Sequence, residues 1–430
     1  VKRETNGKRR LNFLRISPQI SICILLAAFV IGCAALSGPN EEVEEIAVDV
    51  HALKGDPNKQ KGIFVFFDGT QNTKSSQTNV WRLFDFLGKN NDPQMTAIYI
   101  KGVGSVDDAP VTGAALGRGM EQRILQGYRF ISENYNPGDR IYIFGFSRGA
   151  HQARSLAGLI SYAGVLATSD SDSDQLMKMG NQIIELVKKK SDEEYRDKWI
   201  SWHHEQAPLL SIEIKSKLNL EMQPAEVTFL GVWDTVPGSS LKDYGICKEE
   251  KGFVKKYFYW LIPGIDKGER YKTDSYPPIH RIAHAVSLDE KRSKFSPLLL
   301  CHEINSQYTK ISEVWFPGAH ADVGGGYEDS KELPSISLEW MIELLSETYK
   351  LNAVPHLNVN ANGLAHWSIG DRPANIGSKC VDRHPPENAR IHPSVEERKR
   401  ASPVPIRWKE TRKQLDYPIS CSTHSSGLTE

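Results

Sequence analysis

The sequence predicts an α/β fold: a mostly parallel central sheet with helices on both faces and a helical cap or insertion. Three observations point there. Short continuous apolar runs recur at Gly62–Phe67, Ala97–Val103, Arg140–Phe146 and Val227–Trp233, as expected of strands buried on both faces. Stretches with helical spacing alternate with them, as crossover connections between parallel strands require. One of the runs passes through Gly145-Phe146-Ser147-Arg148-Gly149 directly into helical sequence containing Ala153, Leu156, Ala157 and Leu159. A chain of 430 residues has ample length for a core and allows one large domain or two smaller ones. Its 53 basic and 53 acidic residues balance, which gives no reason to propose a nucleic-acid partner.

The N-terminal residues 1–33 read as a lipoprotein-like signal peptide. Lys2, Arg3, Lys8, Arg9, Arg10 and Arg15 precede an apolar stretch from Ile20 to Gly32, too short to span a bilayer comfortably. Val30-Ile31-Gly32-Cys33 resembles the bacterial lipoprotein box, in which the cysteine is acylated. The alternative is an uncleaved signal anchor that happens to contain a cysteine. Ala34 after Cys33 fits sorting to the periplasmic face of an outer membrane. Residues 34–61 are acidic and without apolar period, so they read as a tether, with the folded domain spanning 62–430. Cys247, Cys301, Cys380 and Cys421 remain, with no C-x-x-C pair. A zinc site is therefore not expected, and either one or two disulfides or four free thiols are compatible with the count.

Within the domain, Gly62–Phe67 is the first strand, stopped by Asp68-Gly69-Thr70. Ligands gather beyond the carboxyl ends of such strands. A helix capped by Asn79 follows, then the strand Ala97–Val103 and a glycine-rich loop that lacks a nucleotide-binding pattern. Glu121–Tyr135 is the helix feeding the Arg140 strand. The core extends over about 62–350, with insertions over about 168–222 and 240–280. In the second insertion, Phe253–Pro263 mixes aromatics with lysines, which suits a membrane interface, a lid over an apolar pocket, or a cap helix with its rings turned inward. Arg281–Arg292 reads as a helix holding His284, Glu313–Phe316 as a short strand, and Ser337–Tyr349 as an amphipathic helix. Residues 351–430, rich in proline, read as a peripheral wrap without assignable chemistry.

The G-x-S-x-G turn places Ser147 on a strained bend with its hydroxyl clear of the sheet. Serine needs an imidazole base, and the base needs a carboxylate to hold its tautomer. On this type of sheet the partners follow in the order Ser, Asp, His, and Asp234 and His320 each stand just after a strand. His284, expected in a helix, and Asp322, two residues past His320, are the rivals and are assigned supporting roles, Asp322 in ordering the Gly324–Gly326 loop. The backbone N–H of Arg148 and that of Gly69 or Thr70 are the expected oxyanion donors. Asp68 is a further supporting residue. It lacks the second acid two residues away that an aspartyl phosphatase requires. No metal or cofactor is called for.

Six blocks together resemble a known family: FFDGT from Phe66, TNVWRL from Thr78, GFSRGAHQAR from Gly145, GVWDTVPG from Gly231, HAVSLDEKR from His284 and WFPGAHADVGGGY from Trp315. They look like the α/β-hydrolase family that includes phospholipase effectors of bacterial type VI secretion, over roughly Lys61 to Tyr349. The resemblance implies serine esterase chemistry on lipid or phospholipid acyl esters through an acyl-enzyme, with Ser147, Asp234 and His320 at the matching positions. The lipoprotein-like N-terminus departs from that of an injected toxin and suggests anchoring in the bacterial cell envelope. Two alternatives stand beside this reading: a catalytically silent envelope binding or scaffold protein, and a secretion-linked antibacterial phospholipase.

Overall fold

The computed structural model describes residues 48–104, 113–167, 173–191, 210–237, 279–300, 309–369, 378–408 and 410–422. Residues 1–33 with Cys33, the tether up to residue 47, the aromatic segment 253–263, and Cys247 and Cys301 lie outside the described residues, as do parts of both insertions.

The central sheet has eight strands: β1 (Val48–His51), β2 (Gly62–Phe67), β3 (Met95–Ile100), β4 (Arg140–Phe146), and, after the short pair β5 (Val165–Leu166) and β6 (Met222–Gln223), β7 (Val227–Trp233), β8 (Ile279–Ser287) and β9 (Lys310–Phe316). A two-residue edge strand completes it, β11 (Arg390–Ile391), which follows β10 (Ala365–His366) in the chain. The order across the sheet is β1-β3-β2-β4-β7-β8-β9-β11. All pairings are parallel except that of β1 with β3, so the sheet is mixed only at one edge. Val48–His51, read from the sequence as tether, is part of this sheet. It is an edge strand, and the Lys54 and Gly55 amides reach the Pro93 carbonyl at 3.3 and 2.7 Å.

Strand alternation splits the core into two layers. Ile63, Val65, Phe67, Ile141 and Ile143 face one side, where the helices Gly113–Asn134, Arg148–Ala163 and Ser173–Ser191 pack. Phe64, Phe66, Tyr142 and Phe144 face the other, against Asn79–Lys89 and Glu332–Ser346. This second layer is a ladder of rings: Phe64 stacks on Tyr142 at 4.3 Å, Phe66 on Phe144 at 5.0 Å, and Tyr349 meets Phe64 edge-on at 5.0 Å. Such pairs add about 0.5–1.5 kcal/mol each beyond the area they bury. Thr78, not Asn79, caps the first helix: its hydroxyl accepts from the Trp81 amide at 3.2 Å.

Two expectations fail. Arg281–Arg292 is not a helix, because β8 occupies Ile279–Ser287. The apolar residues Ile279, Ile282, Ala283 and Val286 fall at i, i+3, i+4 and i+7 and imitate helical period. A strand buried on both faces needs no alternation, so period alone misleads there. The C-terminal wrap is also more ordered than expected. It carries β10, the helix Pro393–Arg400, and β12 (Val404–Trp408) and β13 (Thr411–Leu415), with β12 between β10 and β13 in a second, three-stranded sheet. Cys380 and Cys421 form a disulfide within it.

Candidate active site

Ser147 sits between β4 and the helix Arg148–Ala163 at φ 59° and ψ −123°, a region an L-residue enters only at a cost of about 1–3 kcal/mol. The close crossing of the helix over the sheet imposes it. A Cβ on Gly149 would lie 2.3 Å from the Phe67 carbonyl oxygen, and one on Gly145 would lie 2.3 Å from the Gly149 oxygen. The serine's own backbone is pinned from β7, its N–H donating to Trp233 O at 3.0 Å and its carbonyl accepting from Val236 N–H at 3.2 Å.

Asp234 is the residue at which β7 ends. Its φ is 37°, and its N–H donates to Ala285 O on β8 at 2.7 Å. β9 ends at Phe316, and Gly318, at φ 100°, turns the chain so that His320 opens the five-residue helix His320–Gly324. His320 Nδ1 lies 2.5 Å from Asp234 Oδ2. With the Nδ1 proton donated there, Nε2 carries a lone pair; it is buried and has no hydrogen-bond partner among the described residues. The imidazole is held between Phe146, at 4.6 Å, and the edge of Phe295, at 5.1 Å. Ser147 and His320 line one cavity of about 770 Å³, together with Thr70, Arg148, Arg292 and Tyr327.

The loop after β2 forms the cavity's other wall. Asp68 is buried and gathers the Tyr99 hydroxyl, the Thr78 hydroxyl and the Gly69 N–H, each at 2.7 Å. Burial pushes its carboxyl up to about 6 against the pull of those donors and of Asn72. Gly69 comes close to the serine, since a Cβ there would be 3.2 Å from Ser147 Cβ. Its N–H is already committed to Asp68, however, so of the two loop amides expected to serve an oxyanion, the one still available is that of Thr70. The Thr70 hydroxyl accepts from Arg148 Nη1 at 2.9 Å, tying this loop to the turn.

A model of the type VI secretion phospholipase effector Tle1-like catalytic domain matches residues 61–344. The chain belongs to this family, an α/β-hydrolase family. It is also similar to an uncharacterized protein of Saccharomyces cerevisiae, at 27% identity over 262 residues, which are 55% of this chain and 32% of that protein. The chain thus spans about a third of that relative's length. Solved structures of similar outline include the butyrate-bound and apo forms of esterase 2 of Thermogutta terrifontis. Each is 12% identical, covers 73% of this chain and 94% of that one, and has a TM-score of 0.39.

In this Tle1-like domain the supporting residues have unexpected duties. His284, on β8 and fully buried, does not reach the cavity. Its Nε2 accepts from the Thr235 N–H at 3.1 Å and its Nδ1 lies 2.9 Å from Glu313 Oε2, so it braces the turn that carries Asp234. Asp322 does not serve the glycine loop. Its Oδ2 accepts from the Ala319 and His366 amides at 2.9 and 2.8 Å, joining the His320 turn to the wrap.

Three further residues were given no role from the sequence, although Glu290 falls within the HAVSLDEKR block. Glu290 Oε2 accepts from the His320 N–H at 3.2 Å, and the same carboxylate takes Arg292 at 2.8 and 2.9 Å. Burial raises Glu290, but Arg292 overrides this and brings it down to about 2. His366, from the wrap, lies between Asp322 and Asp329 at 2.7 and 2.9 Å with Tyr327 stacked at 3.6 Å. Burial lowers its pKa, yet the two carboxylates raise it overall. Arg383 forks onto Asp234, with Nη1 to Oδ1 at 2.6 Å and Nη2 to Oδ2 at 3.1 Å. Burial would raise Asp234; Arg383 and His320 more than offset that and hold it well below the usual carboxylate range. Burial lowers His320, Asp234 raises it, Arg292 lowers it, and the net direction is down from 6.5.

Proposed function

We propose that this protein is a serine carboxylester hydrolase acting on acyl esters of lipids or phospholipids. Ser147 Oγ attacks the ester carbonyl while His320 Nε2 takes its proton, and Asp234 stabilises the imidazolium that forms. The Arg148 and Thr70 amides donate to the oxyanion. Collapse of the tetrahedral adduct returns the proton from His320 to the leaving alcohol. A water molecule, activated by the same imidazole, then hydrolyses the acyl-enzyme.

The observation that carries this reading is the pairing of His320 Nδ1 with Asp234 at 2.5 Å while its Nε2, beside the Ser147 cavity, has no partner among the described residues. A lipid substrate is supported by the family, and by a cavity whose wall mixes Phe146, Phe295, Tyr327 and Trp367 with the cations Arg148 and Arg292. Acyl chain and anionic headgroup would each find a matching surface. The acylated Cys33 of the sequence reading would hold the enzyme at a membrane of the bacterial envelope, and the Cys380–Cys421 disulfide agrees with an oxidising compartment.

The test is hydrolysis of medium-chain esters and of phospholipid vesicles by the wild-type chain and by Ser147→Ala, with fluorophosphonate labelling mapped by mass spectrometry. Labelling at residue 147 and an inactive variant are expected. Equal rates for the two proteins remove Ser147 from the mechanism.

A further inference from the structure

Arg383 lies outside residues 61–344, the part of the chain that the family covers. Its guanidinium nevertheless makes four bonds at the centre of the site: two to Asp234, one from Nη1 to Ser287 O at 2.6 Å, and one from Nη2 to Phe295 O at 2.5 Å. The Arg383 side chain is 7% exposed and that of Asp234 is 0% exposed. A planar fork on a buried carboxylate sets the plane of that carboxylate. With Arg383 Nη1 and the Ser287 N–H on Oδ1, and Arg383 Nη2 on one side of Oδ2, the other side of Oδ2 is aimed at His320 Nδ1.

The segment that delivers Arg383 lies outside the named strands and helices. Three residues before it, Cys380 is bonded to Cys421. Around it the Val381 amide donates to Lys291 O at 2.9 Å, Lys291 Nζ reaches Asp382 at 2.8 Å, and the Cys421 amide reaches Asp382 at 3.1 and 3.2 Å. Its backbone pairing among the described residues is the isolated bridge of Cys380 to Arg292, beside which the Ser293 amide donates to Lys379 O and the Lys379 amide to Ser293 Oγ, both at 3.0 Å. Two of these fastenings, the disulfide and the Cys421 amide, depend on Cys421 staying beside Cys380. We propose that Arg383 is the positioning residue of Asp234, and that the Cys380–Cys421 disulfide, by securing the segment that carries it, makes turnover depend on the oxidised state of that pair.

The inference rests on the serine-hydrolase reading and adds a switch to it. A dithiol reductant opens the bond by thiolate attack on one sulfur, giving a mixed disulfide that its second thiol resolves. Two electrons and two protons pass to Cys380 and Cys421, and the dithiol becomes a disulfide. Release of the segment then withdraws a cation from Asp234. The full negative charge of the carboxylate acts on His320, which becomes more basic, while the carboxylate loses its fixed plane.

The experiment follows kcat/KM across pH for a soluble medium-chain ester, using the whole chain. Arg383→Gln is expected to lose about tenfold or more, a part of the 10²–10⁴ that general-base catalysis supplies, and its acidic limb is expected to move up by about half a pH unit or more. Arg383→Lys should recover part of both, which a merely structural loss would not produce. Wild-type protein treated with dithiothreitol, and the Cys380→Ser/Cys421→Ser double variant, should shift in the same direction. In the treated protein, activity should fall in step with the appearance of two thiols and return on reoxidation. A wild-type rate and limb in Arg383→Gln overturn the positioning role. A reduced protein that retains its melting transition together with wild-type rate and limb overturns the redox dependence. Activity in Ser147→Ala, by contrast, would overturn the hydrolase reading on which both rest.

Discussion

The turn at Ser147 and the segment at Arg383 serve the same site by opposite means. Everything that strains Ser147 lies within a few residues or in the adjoining strand: Gly145, Gly149, and the β2 carbonyl that Gly149 crosses. Arg383 is separated from Asp234 by 149 residues, and irregular, disulfide-tied chain brings it there. A nucleophile needs a shape, which neighbouring residues can impose. A buried carboxylate needs a counter-charge, which any part of the chain can supply once the fold is made.

That contrast can be broken or sharpened, beginning where the largest effect is expected. Ser147→Ala should lower ester hydrolysis by about 10⁴-fold or more, and Asp234→Asn by about 10³–10⁴-fold with the nucleophile intact, both read as kcat/KM. Asp68→Ala frees the Gly69, Thr78 and Tyr99 donors and loosens the loop bearing the Thr70 amide. Its kcat should fall by about 10²-fold, in line with loss of one oxyanion donor. If Asp68→Ala instead matches the wild-type rate, the loop is not part of the site.

Glu290→Gln acts at the junction of the two regions, where one carboxylate holds Arg292, the His320 amide and Ser368 of the wrap. Leaving Arg292 without its buried partner should cost about 3 kcal/mol in urea unfolding. The sign with pH is set by Glu290's depressed pKa. Its contribution is present above the unfolded carboxyl value, near 4.5, and is lost as pH falls through the folded value of about 2. The difference between wild type and variant should therefore shrink only in strong acid.

The pH–rate profile is a finer probe. Because His320 is held below 6.5, chiefly by burial and with Asp234 opposing, the acidic limb of kcat/KM should lie below pH 6.5 in the wild type. A limb above 6.5 would mean that Asp234 dominates the imidazole. Smallest in activity is Arg398→Met, within the wrap's own core, where Arg398 donates to the Ala361 and Gly363 carbonyls at 2.8 Å. It should lose about 1–3 kcal/mol of stability and leave kcat/KM near wild type. A large loss of activity there would show that the wrap supports the site as a whole and not through Arg383.

How much could be read beforehand follows from the same contrast. The strands Gly62–Phe67, Arg140–Phe146 and Val227–Trp233 stood out as apolar runs, and the Gly145–Gly149 turn as a motif with its strand and helix attached. Ser147, Asp234 and His320 could be chosen because each stands where a strand stops. The residues around Asp234 could not. Nothing near Arg383 or His366 in sequence differs from ordinary surface chain, Glu290 lies in a family-like block but with no role attached to it, and their partners are 149, 44 and 30 residues away. His284 was misplaced for a related reason: in a strand buried on both faces, apolar residues carry no periodic mark that separates strand from helix.

Sequence alone thus determined the features that neighbouring residues decide between themselves: the alternation of strand and helix, the strained serine turn, and the strand ends beyond which Asp234 and His320 stand. Only the tertiary structure decided the electrostatics. It put Arg383 on Asp234, committed the Gly69 amide to Asp68, and set His284 behind the acid. Steric constraints on the backbone act over a few bonds and leave a local trace in the sequence. Charges in a dry interior act through space, on whichever side chain the fold brings within a few ångströms.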